Sequence, residues 1–153
     1  DAWLMLPQLK GGLVIAGSPH VATYCKTILK QSNVRCPGYI SEDEKNTLYG
    51  SASVYVQPSV TEGFGLPVLE AMAYGTPVIV SKGAGASDLV ENGKEGFVVP
   101  IRDSVAIAEK ILYLYNHPEE ITRMGQNARL KAEQYSWEKV EERYKEAWRE
   151  VFA

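Results

Sequence analysis

The chain has 153 residues, 45% of them hydrophobic and 23% charged, with a formal net charge of −3. That is the composition of one globular domain, long enough to bury about 68–70% of the surface its unfolded chain exposes. The small negative charge excludes bulk attraction to nucleic acid or an anionic membrane, and the sequence has no apolar run of spanning length, no signal-peptide pattern and no low-complexity tract.

From the N-terminus onward, short apolar runs alternate with helical segments, which predicts βα units and a parallel sheet, hence an α/β class. Strands are predicted at 13–16, 33–36, 54–57, 78–80 and 97–99, with helices at 22–31, 42–49, 67–74 and 86–91. Gly75-Thr76-Pro77 reads as a helix stop followed by strand entry, and Asn92-Gly93 as a turn. Over 104–116 a helix is expected with Val105, Ala108, Ile111, Leu112 and Tyr115 on its apolar face. A second helix starts at Pro118, with Ile121, Met124, Ala128 and Leu130 as its apolar residues. Ser136 is an N-cap candidate, although Lys139 stands where a capping box would have Glu or Gln. The last helix carries Trp137, Val140, Tyr144, Trp148 and Val151 at three- and four-residue steps, a stripe whose ordinary reading is core. Cys25 and Cys36 form no C-x-x-C pair, and His20 and His117 stand alone, so two buried free thiols are expected and no metal site.

The most informative stretch is Glu62-Gly63-Phe64-Gly65-Leu66-Pro67-Val68-Leu69-Glu70. A Gly-x-Gly turn follows a predicted strand and feeds a helix with Pro67 at its first position, where a missing N–H costs nothing. Glycines admit close approach of a ligand to the backbone, and a helix start offers free N–H groups at a positive dipole end. The corner therefore suits an anion, yet a carboxylate flanks it on each side. Carboxylates repel phosphate and accept hydrogen bonds from hydroxyls. A ligand matching both features has phosphate in its middle and hydroxyls at its ends, as a nucleotide-sugar does. The alternative is structural: Glu70 as an acid in the first helical turn, stabilised by the dipole, and Glu62 as an ordinary loop residue. The apolar surroundings of Glu70 (Val68, Leu69, Ala71, Met72 and Ala73) require a partner for it either way.

Residues 62–70 resemble the E-x7-E signature of retaining family-4 glycosyltransferases, enzymes of the GT-B architecture. The similarity continues through Ala71-Met72-Ala73-Tyr74-Gly75-Thr76-Pro77 to Ser81, and through Gly17, Gly38-Tyr39-Ile40-Ser41 and residues 51–59, 93–100 and 135–137. It covers nearly the whole chain. The resemblance implies the C-terminal, donor-binding half of such an enzyme, a Rossmann-like parallel sheet over residues 1–153. The complete enzyme would transfer a sugar from a nucleotide-sugar to a hydroxyl of a saccharide or lipid-linked acceptor, with retention. Its implied setting is polysaccharide or glycolipid biosynthesis in the cytoplasm, with the inner membrane face as a docking surface.

The resemblance also implies roles. Glu62, the catalytic candidate, holds hydroxyls of the donor sugar; backbone N–H groups of Gly63, Phe64, Gly65 and Leu66 bind sugar and diphosphate; Glu70 takes the ribose hydroxyls. Ile40 matches the position whose backbone meets the nucleobase, with a plain strand-end core residue as the other reading of its side chain. No cofactor or metal is expected, since fixed N–H groups and basic side chains stabilise the departing diphosphate. Two departures stand out: Gly17-Ser18-Pro19-His20 replaces a Gly-x-Gly turn, and Lys82 and Asp88 stand where the family usually has acids, Glu in the case of Asp88. Lys82 is either a phosphate contact or a solvated surface lysine.

Residues 2–9 resemble the tail of a family helix that normally follows the domain's first strand. That strand and its loop would carry an Arg and a Lys on the diphosphate, and Lys10 does not match the latter. In the strand order 3-2-1-4-5-6 the absent strand is the central one, so two unpaired edges are expected, with a rearranged N-terminal edge or self-association through the gap. The final helix, 136–153, is expected to cross toward the acceptor-binding domain, and the chain alone to bind nucleoside diphosphate weakly and transfer nothing. Two other functions stay open, a nucleotide-sugar epimerase of the same fold and a non-catalytic nucleotide-binding module. Transfer to an acceptor separates the first reading from both.

Overall fold

The computed structural model describes residues 1–18, 20, 23 and 30–152. Its strands are β1 (Leu13–Ala16), β2 (Val34–Gly38), β3 (Tyr55–Gln57), β4 (Val78–Ser81) and β5 (Gly96–Val99). Its helices are α1 (Glu42–Ser51), α2 (Leu66–Ala73), α3 (Ser104–Asn116), α4 (Pro118–Ala132) and α5 (Trp137–Phe152), with 3-10 turns at Ala2–Met5, Gly85–Leu89 and Glu133–Tyr135. Of the helix predicted at 22–31, residues 22 and 24–29, Cys25 among them, lie outside the described residues.

Among the described residues all strand pairing is parallel, and it falls into two sheets, β1-β2 and β3-β4-β5. Residues near the N-terminus are packed: Leu6 and Leu9 form a small core with Ala108, against which Trp3, Ile111 and Leu112 rest.

β4 is buried along its whole length, as a central parallel strand covered on both faces must be. Its side chains alternate between two layers. Val78 and Val80 pack with Val68, Ala71 and Met72 of α2 and Ala128 of α4. Ile79 joins Phe97, Val99, Leu114 and Met124 on the other side.

Several expected faces shift. α3 buries Ala108 and Leu114 and packs Ile107 and Ile111, while Val105 and Tyr115 are exposed. The N-terminal Leu6 and Leu9 cover Ala108, Ile111 and Leu112 of the expected face, and the sheet side adds Leu114 and Ile107 through Ile79, Phe97 and Met124. α4 buries Met124, Gly125, Ala128 and Ala132 and leaves Leu130 exposed, because small residues on that face let it sit close to α2. The helix predicted at 86–91 is a single 3-10 turn, Gly85–Leu89. Glycine, serine and aspartate in that run favour turns over an α-helical interior. Cys36 is half-exposed rather than buried, on an edge strand that also carries Pro37. Trp137 to Phe152 folds as a helix but buries none of its residues, so the expectation of core fails there.

Candidate functional site

β3 ends at Gln57, and residues 58–65 carry the chain from that strand end to α2. Tyr55 and Gln57 are two apart on a strand and so share a face. The Tyr55 hydroxyl donates to Gln57 Oε1. Gln57 Nε2 donates to Ser59 Oγ at 2.8 Å and to Glu62 Oε2 at 2.8 Å, and Ser59 Oγ donates to the same carboxylate oxygen at 3.0 Å. Glu62 is half-buried, and every donor that reaches its carboxylate among the described residues is neutral.

The following turn is clamped from the β4 side. The Ser81 hydroxyl donates to the Ser59 carbonyl, and the Glu62 N–H donates to the Gly83 carbonyl at 3.1 Å. Gly85 lies against the Gly63 carbonyl so closely that a Cβ there would collide with it. Gly65 has φ 77°, a left-handed conformation that glycine adopts without strain, and caps α2. The N–H groups of Gly63, Phe64, Gly65 and Leu66 donate to no described residue, whereas the Val68 N–H is taken by the Gly65 carbonyl at 2.9 Å. Pro67 occupies the second helical position, one later than expected, still within the turn where N–H groups lack partners. Phe64 is half-exposed and leans on Tyr135, ring centroids 6.4 Å apart.

Glu70 is the fifth residue of α2, beyond the first turn, so the helix-dipole account expected from sequence loses most of its force. Its partners come from α1. Lys45 Nζ lies 3.2 Å from Oε1 and 3.1 Å from Oε2, and the Tyr49 hydroxyl donates to Oε2 at 3.1 Å. Lys45 also reaches Glu42 at 2.9 Å, and this hydrogen bond, ahead of the Glu70 contact, raises its pKa. Burial first, then the neighbouring Tyr55 and Glu70, pushes the Tyr49 phenol up. Tyr55 is pushed up to about 12, again mainly by burial, with Glu62 and Glu70 adding to it. The two tyrosine rings meet edge to face at 5.6 Å and 82°. Beneath the glycine turn, then, each carboxylate has its own tyrosine: Tyr49 directly on Glu70, Tyr55 on Glu62 through Gln57.

Sequence reasoning missed five of these residues. Lys45 and Tyr49 are four apart and thus share one face of α1, a spacing readable in the sequence but without a target there. Ser41 caps α1 through a reciprocal capping box with Glu44, a Ser-x-x-Glu signature. Tyr55, Gln57 and Ser59 alternate along one strand edge, and only the fold turns them toward Glu62. Ile40 is half-buried, between the end of β2 at Gly38 and the Ser41 cap of α1. Lys82 and Asp88 are exposed. Among the described residues, no group of three or more His, Cys, Asp or Glu lies together, and no helix is long and apolar enough to cross a membrane.

Residues 6–131 match the family described as glycosyl transferases group 1. An uncharacterized glycosyltransferase of Methanocaldococcus jannaschii is 36% identical over 144 residues, covering 89% of this chain and 36% of that protein. A D-inositol 3-phosphate glycosyltransferase of Streptomyces bingchenggensis is 37% identical over 100 residues, 65% of this chain and 22% of the relative. Among solved structures, sucrose-phosphate synthase from Thermosynechococcus elongatus superposes with a TM-score of 0.86 at 29% identity, covering 99% of this chain and 40% of the synthase. The chain thus spans less than half the length of each of these proteins. The region matched is the C-terminal, parallel-sheet domain of the GT-B architecture.

Proposed function

The chain belongs to the glycosyl transferases group 1 family, and from that membership and the Glu62–Glu70 corner we propose that it is the donor-binding half of a retaining glycosyltransferase using a nucleotide-sugar. The observation that carries this reading is one turn with four unengaged N–H groups between two carboxylates of unlike surroundings. The N–H groups of Gly63, Phe64, Gly65 and Leu66 suit the negative diphosphate and act without reorganising. Glu70, oriented by Tyr49 and Lys45, takes ribose hydroxyls. Glu62 is held by neutral donors, and it accepts from hydroxyls of the donor sugar while that sugar gains positive character. Ile40 lines the nucleobase end through its backbone. The reading involves no metal-bound step. The bare stripe of α5 is the face that meets the acceptor-binding half.

Three measurements on the complete protein test it. Glu70→Ala should weaken nucleoside diphosphate binding about tenfold to a hundredfold, the worth of a charge-assisted hydrogen bond. Glu62→Ala should leave that affinity intact and lower turnover of the nucleotide-sugar. The transferred sugar should keep its anomeric configuration by NMR. Equal loss of diphosphate affinity in both variants, or an inverted product, refutes the reading.

A further inference from the structure

Glu62 sits in a loop, where a carboxylate that must meet particular hydroxyls needs an external hold. Productive geometry at such a site is a matter of about 0.5 Å and 10–20°. Both of its side-chain donors, Gln57 Nε2 and Ser59 Oγ, converge on Oε2. Oε1 receives a hydrogen bond from no described residue. One oxygen is anchored and the other is left to the ligand.

Gln57 differs from a hydroxyl anchor in being planar and two-ended. Its Nε2 can face Glu62 and Ser59 only if its Oε1 faces the opposite way, and there it meets the Tyr55 hydroxyl. Tyr55 is itself fixed, its ring half-buried and edge-on to Tyr49. Its phenol holds its proton to about pH 12, so it remains a donor at any working pH. The donations run one way, from Tyr55 to Gln57, from Gln57 to Ser59 and Glu62, and end on the carboxylate. The choice of an amide also has an electrostatic consequence. Glu70 is held by the Lys45 ammonium, which offsets its charge. An amide orients Glu62 while leaving its charge undiminished, as a group facing a sugar with growing positive character requires.

We infer that Gln57, set by Tyr55, is the positioning residue for Glu62, fixing its carboxylate through Oε2 so that Oε1 is presented to the donor sugar. The inference rests on the donor-binding reading above and adds to it the residues that set the geometry of sugar recognition.

The test is steady-state kinetics with the nucleotide-sugar and calorimetry with the nucleoside diphosphate, on the complete protein carrying Gln57→Met, Tyr55→Phe, both together, and Glu62→Ala. Gln57→Met keeps side-chain volume and removes the donor. It should lower kcat about tenfold to a hundredfold with diphosphate affinity unchanged. Tyr55→Phe, which removes one hydroxyl and serves if the first variant folds poorly, should lower the same parameter by about two- to tenfold. The double variant should be no worse than Gln57→Met alone, since Tyr55 acts through Gln57. Unchanged kcat in Gln57→Met, a matching loss of diphosphate affinity, or fully additive losses in the double variant would overturn the inference while Glu62→Ala still abolishes turnover. Should Glu62→Ala itself leave turnover intact, the donor-binding reading fails first.

Discussion

Two helices of this chain carry apolar faces and end in opposite states. α2 buries Val68, Ala71 and Met72 completely, wedged between β4 and α4. α5 has the more regular stripe and the larger side chains, yet Trp137, Tyr144, Trp148, Val151 and Phe152 all stand exposed. Its anchorage is at the near end, where Arg143 lies over the Tyr135 ring and donates to the Gln134 carbonyl. Farther along, Trp148 and Phe152 stack on each other, centroids 4.8 Å apart. Amphipathicity says that a helix has a face to bury. Whether it is buried depends on a complementary surface, and within these residues α2 has one and α5 does not.

The comparison predicts a gradient of stability effects in the chain. The largest belongs to Met72→Ala, which empties a site with no solvent access and should cost about 2–5 kcal/mol by chemical denaturation. Gly85→Ala should follow at about 1–3 kcal/mol, since its methyl must displace the Gly63 carbonyl and with it the turn between the two glutamates. A loss below the range in both would mean that the corner is as loosely held as α5.

A third effect depends on pH. Folding raises the phenol pKa values of Tyr49 and Tyr55, which in the unfolded chain titrate near about 10. Above that pH the unfolded state loses protons that the folded state keeps, so stability falls as pH rises from about 10 toward about 12 and is unaffected by these groups below. Urea midpoints on either side of that window measure the slope, and Tyr55→Phe should flatten it. A slope identical in the variant would show that the Tyr55 environment contributes nothing.

Trp148→Ala should change least, by under about 0.5 kcal/mol, despite removing the largest kind of side chain. A cost above about 2 kcal/mol would mean that α5 has a partner surface within the chain after all. Joined to the acceptor-binding half proposed above, the chain should lose more from the same substitution.

Much of the corner is legible before folding. Gly63-Phe64-Gly65-Leu66-Pro67 announces a turn into a helix through local backbone rules, and the helix begins within one residue of where Pro67 places it. The partner of Glu70 was required by its apolar neighbours but could not be named. Lys45 and Tyr49 lie 25 and 21 residues away, and only the packing of α1 beside α2 brings them there. The α3 face went wrong for a similar reason. Ile79 and Phe97, brought against that helix by the sheet, bury Leu114 and cover Ile107 beside the expected stripe.

The sequence by itself determined the local geometry: strand and helix periods, the glycine turn into α2 and the glutamates on either side of it. Those features depend on sterics and hydrogen bonds among residues a few positions apart. Only the tertiary structure decided which oxygen of Glu62 is anchored, which cation answers Glu70, and which apolar stripe stays bare. Each of these turns on contacts between distant segments, whose free energy appears only when sheet and helices are assembled.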